Sequence, residues 1–135
     1  MQLAIQTYMD LLKINPSFVD IYNNLGILYK EQGKIKEAED YFKKAISKDK
    51  NNVQAYNNLG ALYQDKGKSE EAIKNYKKSL SINPNFAEGY YNLGTLYFKL
   101  KKYDLSWENA RKAQNLGVKS NILIEALKKV TEETK

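Results

Sequence analysis

The 135-residue sequence has no cysteine and no histidine, and only two prolines and one tryptophan. Without cysteine there can be no disulfide framework, thiol nucleophile or thiolate zinc site. Without histidine there is no imidazole base, no serine triad of the usual kind and no common transition-metal site. No cofactor is therefore expected. No run approaches the ~18 apolar residues that a membrane span needs. Residues 1–14 lack a basic stretch followed by an apolar one, so no signal peptide is expected. A cysteine-free chain tolerates either redox compartment, and the cytoplasm is the expected location. Neighbouring carboxylates such as Glu70–Glu71 and Glu132–Glu133 point apart on a helix and make poor acid–base pairs. There is no glycine-rich phosphate loop, nucleophile elbow or calcium loop. The expected role is not enzymatic.

What is present is a balanced globular composition, 42% hydrophobic and 28% charged, enough for one domain with a real core. It is also repetitive. Leu25-Gly26 recurs as Leu59-Gly60 and Leu93-Gly94 at a step of 34 residues, and Tyr22/Tyr56/Tyr90, Tyr29/Tyr63/Tyr97 and Asn24/Asn58/Asn92 keep the same step. Residues 19–52 and 53–86 are identical at 16 of 34 aligned positions, and 87–120 matches the second unit at 9 of 34. Such a period signals stacked supersecondary units.

Each unit reads as two helices. In the second, Tyr56, Leu59, Leu62 and Tyr63 fall on one helical face, and Ala72, Ile73, Tyr76 and Leu80 form a second stripe beyond Gly67. Gly67 can end the first helix in a left-handed conformation. Asn83-Pro84-Asn85 closes the unit, and Ser17, Asn51 and Asn85 stand at equivalent positions as expected helix caps. Short turns force the pairs antiparallel. A glycine inside a helix costs ~1 kcal/mol relative to alanine. Gly26, Gly60 and Gly94 at one register therefore need a packing reason, which is close approach of a neighbouring helix.

These residues resemble the tetratricopeptide repeat signature of aromatic, Leu, Gly, Tyr, Ala, aromatic, Ala and Pro. Unit two supplies Tyr56, Leu59, Gly60, Tyr63, Ala72, Tyr76, Ser79 and Pro84. Unit one supplies Tyr22, Leu25, Gly26, Tyr29, Ala38, Phe42 and Ala45, with Lys50 in place of Pro. Unit three supplies Tyr90, Leu93, Gly94, Tyr97, Ala110 and Ala113, with Ser106 and Val118 at the other signature positions and Lys101 where the other units have Gly33 and Gly67. A left-handed Lys101 would cost ~1–2 kcal/mol. The resemblance implies an all-α, right-handed solenoid of antiparallel helix pairs, forming one structural domain. Its expected divisions are the second helix of a truncated repeat at 1–18, three repeats at 19–52, 53–86 and 87–119, and a capping helix at 120–135. Ala4, Tyr8, Leu11 and Pro16 align with Ala72, Tyr76, Ser79 and Pro84, so the first helix of that unit is missing. The chain thus reads as a piece of a longer one, while its other end reads as natural. There Ser120-Asn121 is expected to cap a helix whose apolar side is Ile122, Leu123, Ala126, Leu127 and Val130.

The net charge of +6 suggests nucleic acid at first sight, but Lys43-Lys44, Lys77-Lys78 and Arg111-Lys112 recur on the second helices, which the resemblance places on the outer side. No nucleic acid is expected as partner. The inner positions implied by the family are Asp20, Asn23, Asn24, Ile27, Lys30 and Glu31, then Gln54, Asn57, Asn58, Ala61, Gln64 and Asp65, then Glu88, Tyr91, Asn92, Thr95, Phe98 and Lys99. Four acids and two lysines leave this set at −2. Asn24, Asn58 and Asn92 form a ladder able to grip the C=O and N–H of an extended peptide, similar to the asparagine ladder in the repeat domains of O-linked N-acetylglucosamine transferases. The clamp that other family members use for a C-terminal carboxylate is disfavoured, because Asn23, Ile27, Glu88 and Asn92 replace four of its residues and only Asn58 survives. The expected function is a non-catalytic scaffold binding an extended, neutral-to-basic peptide or partner segment. Asn24, Asn58, Asn92, Asn23 and Asn57 would contact it, Asp20, Asp65 and Glu88 would set charge preference, and Tyr91 and Phe98 would offer an aromatic anchor. The alternatives are a module that self-associates through the uncovered Leu3, Tyr8 and Leu11, and the recruitment domain of a larger enzyme.

Overall fold

The computed structural model describes residues 1–133. Their elements are α1 (Gln2–Ile14), α2 (Val19–Glu31), α3 (Ile35–Lys48), α4 (Val53–Asp65), α5 (Ser69–Ile82), α6 (Ala87–Lys99), α7 (Tyr103–Asn115) and α8 (Ile122–Glu133). No strand occurs among the described residues. The final two residues of the expected 120–135 segment lie outside them. Helices pack against their sequence neighbours, and the even-numbered helices also touch one another in the order α2, α4, α6, α8. The odd-numbered helices do not. A row of helices in mutual contact beside a row that is splayed apart is a curved α-α solenoid, with the even-numbered row on the concave side. α8 takes the next place in that inner row.

The turns repeat with the sequence. Gly33 and Gly67 have φ of 76° and 75°, and Lys101 adopts φ 59° at the same register. The left-handed residue lets the following N–H reach back into the helix: Lys34, Lys68 and Lys102 donate to the Tyr29, Tyr63 and Tyr97 carbonyls at 2.8–2.9 Å. Lys101 thus keeps the turn geometry of the glycines despite its side chain. The turns between units follow a different rule from the expected one. Ser17, Asn51 and Asn85 do not cap helices. Their backbone N–H groups donate to the side chains of Asn15, Asp49 and Asn83 at 3.0–3.1 Å, forming side-chain turns two residues long. The next helices begin two residues later, and of the three first helices only α4 has a side-chain cap, Asn52 Oδ1 accepting from the Ala55 N–H at 2.8 Å. Tyr22 and Tyr90 tie these turns down by donating their hydroxyls to the Pro16 and Pro84 carbonyls, both at 2.9 Å. Lys50 replaces proline in the middle turn, and Tyr56 makes no such bond there.

The inner glycines are explained by contact. A Cβ on Gly26 would stand 2.4 Å from the Phe42 ring, and one on Gly60 would stand 2.6 Å from the Tyr76 ring. Both rings are fully buried. In the third repeat the equivalent residue is Ala110, which leaves a ring-sized gap. Leu123 of α8 fills it, 3.1 Å from where a Gly94 Cβ would be. Ser106, at the register of Ala38 and Ala72, is buried and donates its hydroxyl to the Gly94 carbonyl at 2.7 Å. α8 begins after Asn121 as expected, but its buried residues are Leu123, Ile124 and Leu127, while Ile122 is 75% exposed. Its apolar face is rotated from the predicted one because Leu123 must point at Gly94. At the other end, Leu3 and Ile14 of α1 are each 80% exposed and Leu11 is open as well. Leu11 stands at the register of the fully buried Ala45 and Ser79.

Candidate functional site

The concave wall is built by successive first helices, and a single residue's rotation decides what reaches it. Each first helix carries an asparagine at one register and, in units one and two, a second just before it. The second of each pair, Asn24 and Asn58, is half-exposed and its side chain makes no hydrogen bond to the protein. The first of each pair turns inward: Asn23 is 5% and Asn57 2% exposed. The expectation that Asn23 and Asn57 line the groove is therefore corrected. A step of one residue turns a helix by about 100°, and these amides tie each first helix to the next, or to its cap, from within. Asn23 Nδ2 donates to Asn52 Oδ1 at 2.9 Å. Asn57 Nδ2 donates to Glu88 Oε1 at 3.2 Å, and Asn57 Oδ1 accepts from Asn92 Nδ2 at 3.1 Å.

The third rung thus differs from the first two. Asn92 is as half-exposed as the other two but has committed an amide proton to Asn57, whereas the Asn24 and Asn58 side chains keep theirs. Among the acidic positions, Asp20 is exposed without an ion pair, Asp65 is paired with Lys30 at 3.1 Å, and Glu88 holds Asn57. The aromatic pair is not an open anchor. Tyr91 and Phe98 are half-buried against the cluster of Ala110, Leu123, Ile124 and Leu127, because α8 lies over the end of the groove. Phe98 packs with its ring 5.6 Å from that of Tyr103.

What the groove does offer is a pocket of about 220 Å³ between α2 and α4. Phe42 forms its buried floor, Ile27 its apolar wall, and Lys30, Glu31 and Asn58 its rim. Ile27, Lys30 and Glu31 belong to the inner positions read from the sequence, but nothing there singled them out over Tyr91 and Phe98. Their grouping depends on the Phe42 ring seated against Gly26, a contact between helices that the sequence does not show. The second helices carry exposed basic residues, while much of the +6 lies in the turns at Lys34, Lys50, Lys66, Lys68, Lys101 and Lys102. On the second helices Lys78 lies over the Tyr56 ring at 5.9 Å, Lys112 over Tyr90 at 5.6 Å and Arg111 over Trp107 at 5.0 Å. Among the described residues no helix is long and apolar enough to cross a membrane, and no group of acidic side chains could hold a metal ion.

A TPR repeat model matches residues 2–33 and 63–101, and tetratricopeptide repeat models match 19–52, 41–74 and 87–116. The chain belongs to the tetratricopeptide repeat family. This tetratricopeptide chain is similar in structure to MamA protein, with TM-score 0.69 and 27% identity over 83% of this chain and 61% of that one. It is also similar to YrrB, a TPR protein with an unusual peptide-binding site (TM-score 0.73, 24% identity, 82% of this chain and 57% of that one). A third likeness is to the first TPR of Spaghetti bound to the HSP90 peptide SRMEEVD (TM-score 0.78, 21% identity, 86% of this chain and 92% of that one). The chain spans less than two thirds of the length of MamA protein and YrrB. No curated protein sequence matches it.

Proposed function

We propose that this chain is a non-catalytic interaction scaffold that binds an extended peptide segment along its concave face, centred between α2 and α4. The observation that carries the reading is the pair of unbonded amides, Asn24 and Asn58, on the inner helices, with Asn58 on the rim of the Phe42-floored pocket. An amide that both donates and accepts can bridge successive backbone groups of an extended chain. Each such bond nets about 1 kcal/mol. The pocket beside them has room for one side chain, and its apolar wall and floor favour an aliphatic one. Glu31 on the rim has no ion pair, and Asp20 stands on the same helix, so flanking basic residues are favoured over acidic ones. Peptide binding by two proteins of the same fold supports the reading.

The test is to select binders from a random peptide library and titrate one against Asn58→Ala and Asn24→Ala by calorimetry, with helicity followed by circular dichroism. Each substitution is expected to weaken binding about fivefold, the equivalent of one lost hydrogen bond, with helicity unchanged. Unchanged affinity in both variants sinks the ladder. A second reading, self-association, draws on α1: Leu3 and Ile14 are each 80% exposed beside the open Leu11. Sedimentation at rising concentration tests it, and a strict monomer rejects it.

A further inference from the structure

Asn23 and Asn57 are equivalent residues one repeat apart, and so are Asn58 and Asn92. In the later pair the circuit is closed, with Asn92 Nδ2 donating to Asn57 Oδ1 at 3.1 Å. In the earlier pair it is open. Asn23 Oδ1 is buried without any partner, and the Asn58 side chain makes no hydrogen bond. The orientation of Asn23 is not free to change. Asn52 must present its oxygen to the Ala55 N–H (2.8 Å), so the bond between Asn52 and Asn23 has to use the Asn23 amide nitrogen as donor (2.9 Å). Asn23 Oδ1 is therefore forced inward as an acceptor, and an unsatisfied buried acceptor is costly.

We propose that Asn58 is a two-position side chain. In one position its amide donates to Asn23 Oδ1, as Asn92 does to Asn57. In the other, seen here, it is released to the groove beside Ile27, Lys30 and Glu31. A peptide in the groove selects the released position, so Asn23 competes with the ligand for Asn58 and sets the affinity from inside the wall. Asn92, locked on Asn57, has no such freedom. The ligand in this account rests on the peptide-binding reading above, but the two-position behaviour does not.

A double-substitution cycle on ligand-free protein tests it. Asn58→Ala is expected to lower the folded-to-unfolded ratio about threefold in the native sequence, within the range of one net hydrogen bond, and by much less when Asn23 is already leucine. Equal effects in both backgrounds overturn the proposal. Should Asn23→Leu fail to fold, side-chain amide exchange in the unsubstituted protein decides instead. Asn58 protons are expected to exchange with water more slowly than those of Asn24, and equal rates overturn the proposal. With a peptide selected from a random library as probe, Asn23→Leu is expected to tighten binding about threefold, and unchanged or weakened binding overturns the competition. If no peptide is captured, the peptide reading fails while the cycle and the exchange rates still decide the latch.

Discussion

The second and third repeats share the glycine niche but fill it from different places. In the second, Tyr76 of the repeat's own α5 lies against Gly60 and sends its hydroxyl to Gln64 Oε1 at 2.9 Å. Burial holds that phenol well above its ordinary range. In the third, Ala110 leaves the niche open and Leu123 arrives from α8, an element outside the repeat. The second repeat is thus self-filled and the third is completed by its cap. The lesson is that the niche, and not the ring, is the repeated feature, since any apolar group that reaches it will serve.

The largest expected effect follows directly. Tyr76→Ala empties a fully buried niche and should cost about 3–5 kcal/mol in urea unfolding, as for other buried aromatics. That is a large share of the stability of a domain of this size. Leu123→Ala, read the same way, should cost at the lower end of the 2–5 kcal/mol range for aliphatic truncation, because α8 packs only lightly on α6 and α7 and can settle closer. Equal losses from the two would mean that α8 is as rigidly seated as α5.

Adding a methyl group sharpens the contrast. A Cβ on Gly60 would stand 2.6 Å from the Tyr76 ring, which is pinned at its hydroxyl and cannot swing away. Gly60→Ala should cost about 1–3 kcal/mol by overpacking. Gly94→Ala meets the Leu123 methyl at 3.1 Å and the Ala110 nitrogen at 3.3 Å. A few tenths of an ångström of relief suffices there, and the gain in helix propensity of about 1 kcal/mol offsets it. Thermal melts should therefore separate the two, with Gly94→Ala close to neutral.

The junctions entering the two repeats differ too. Glu39 of α3 lies between repeats one and two, where it accepts from the Tyr63 hydroxyl at 2.8 Å and pairs with Lys43 at 2.7 Å and Lys66 at 3.1 Å. One repeat on, Ile73 holds that register and packs into the cluster containing Tyr97. The Lys43 ammonium, helped by Tyr63 and Lys66, holds the Glu39 carboxyl down from 4.5 to about 2. A depressed acid stabilises the fold above its unfolded pKa, and that contribution fades as pH falls from about 4.5 towards 2. Glu39→Gln should cost about 1 kcal/mol at neutral pH, allowing for solvent screening. It should also flatten the acid side of the stability curve over that window. A parallel curve for the variant and the native protein would remove Glu39 from the account.

Much of this was legible because the repeat supplies its own alignment. The niche glycines, the helix pairs and the inner face all follow from residues recurring at one step. What was hidden turns on neighbours. Asn57-Asn58 reads as two equal amides, yet one lies inside and the other faces the groove, since a helix turns by about 100° per residue. Tyr91 and Phe98 look like a ligand anchor until α8 is seen to lie over them. The phase of α8 itself depends on Leu123 reaching Gly94, a contact between segments with no shared register. The caps expected at Ser17, Asn51 and Asn85 failed because Asn15, Asp49 and Asn83 bond the backbone there first.

The smallest effect separates backbone from side chain at the turns. Gly67 and Lys101 make the same turn, with φ 75° and 59°, and the bonds that close it are alike: Gly67 N–H to Gln64 at 3.0 Å and Lys101 N–H to Phe98 at 2.9 Å. Lysine tolerates that conformation at a cost of roughly 1–2 kcal/mol, and its ammonium gains no ion pair in return. Lys101→Gly relieves the strain but enlarges the freedom of the unfolded chain. The net should be a stabilisation of about 0.5–1 kcal/mol, visible as a small rise in the urea midpoint with unchanged slope. Gly67→Ala should move the midpoint the other way by a similar amount. Were Lys101→Gly to lower the midpoint, the lysine side chain would be contributing through a contact with solvent-exposed neighbours rather than enduring a backbone made for glycine.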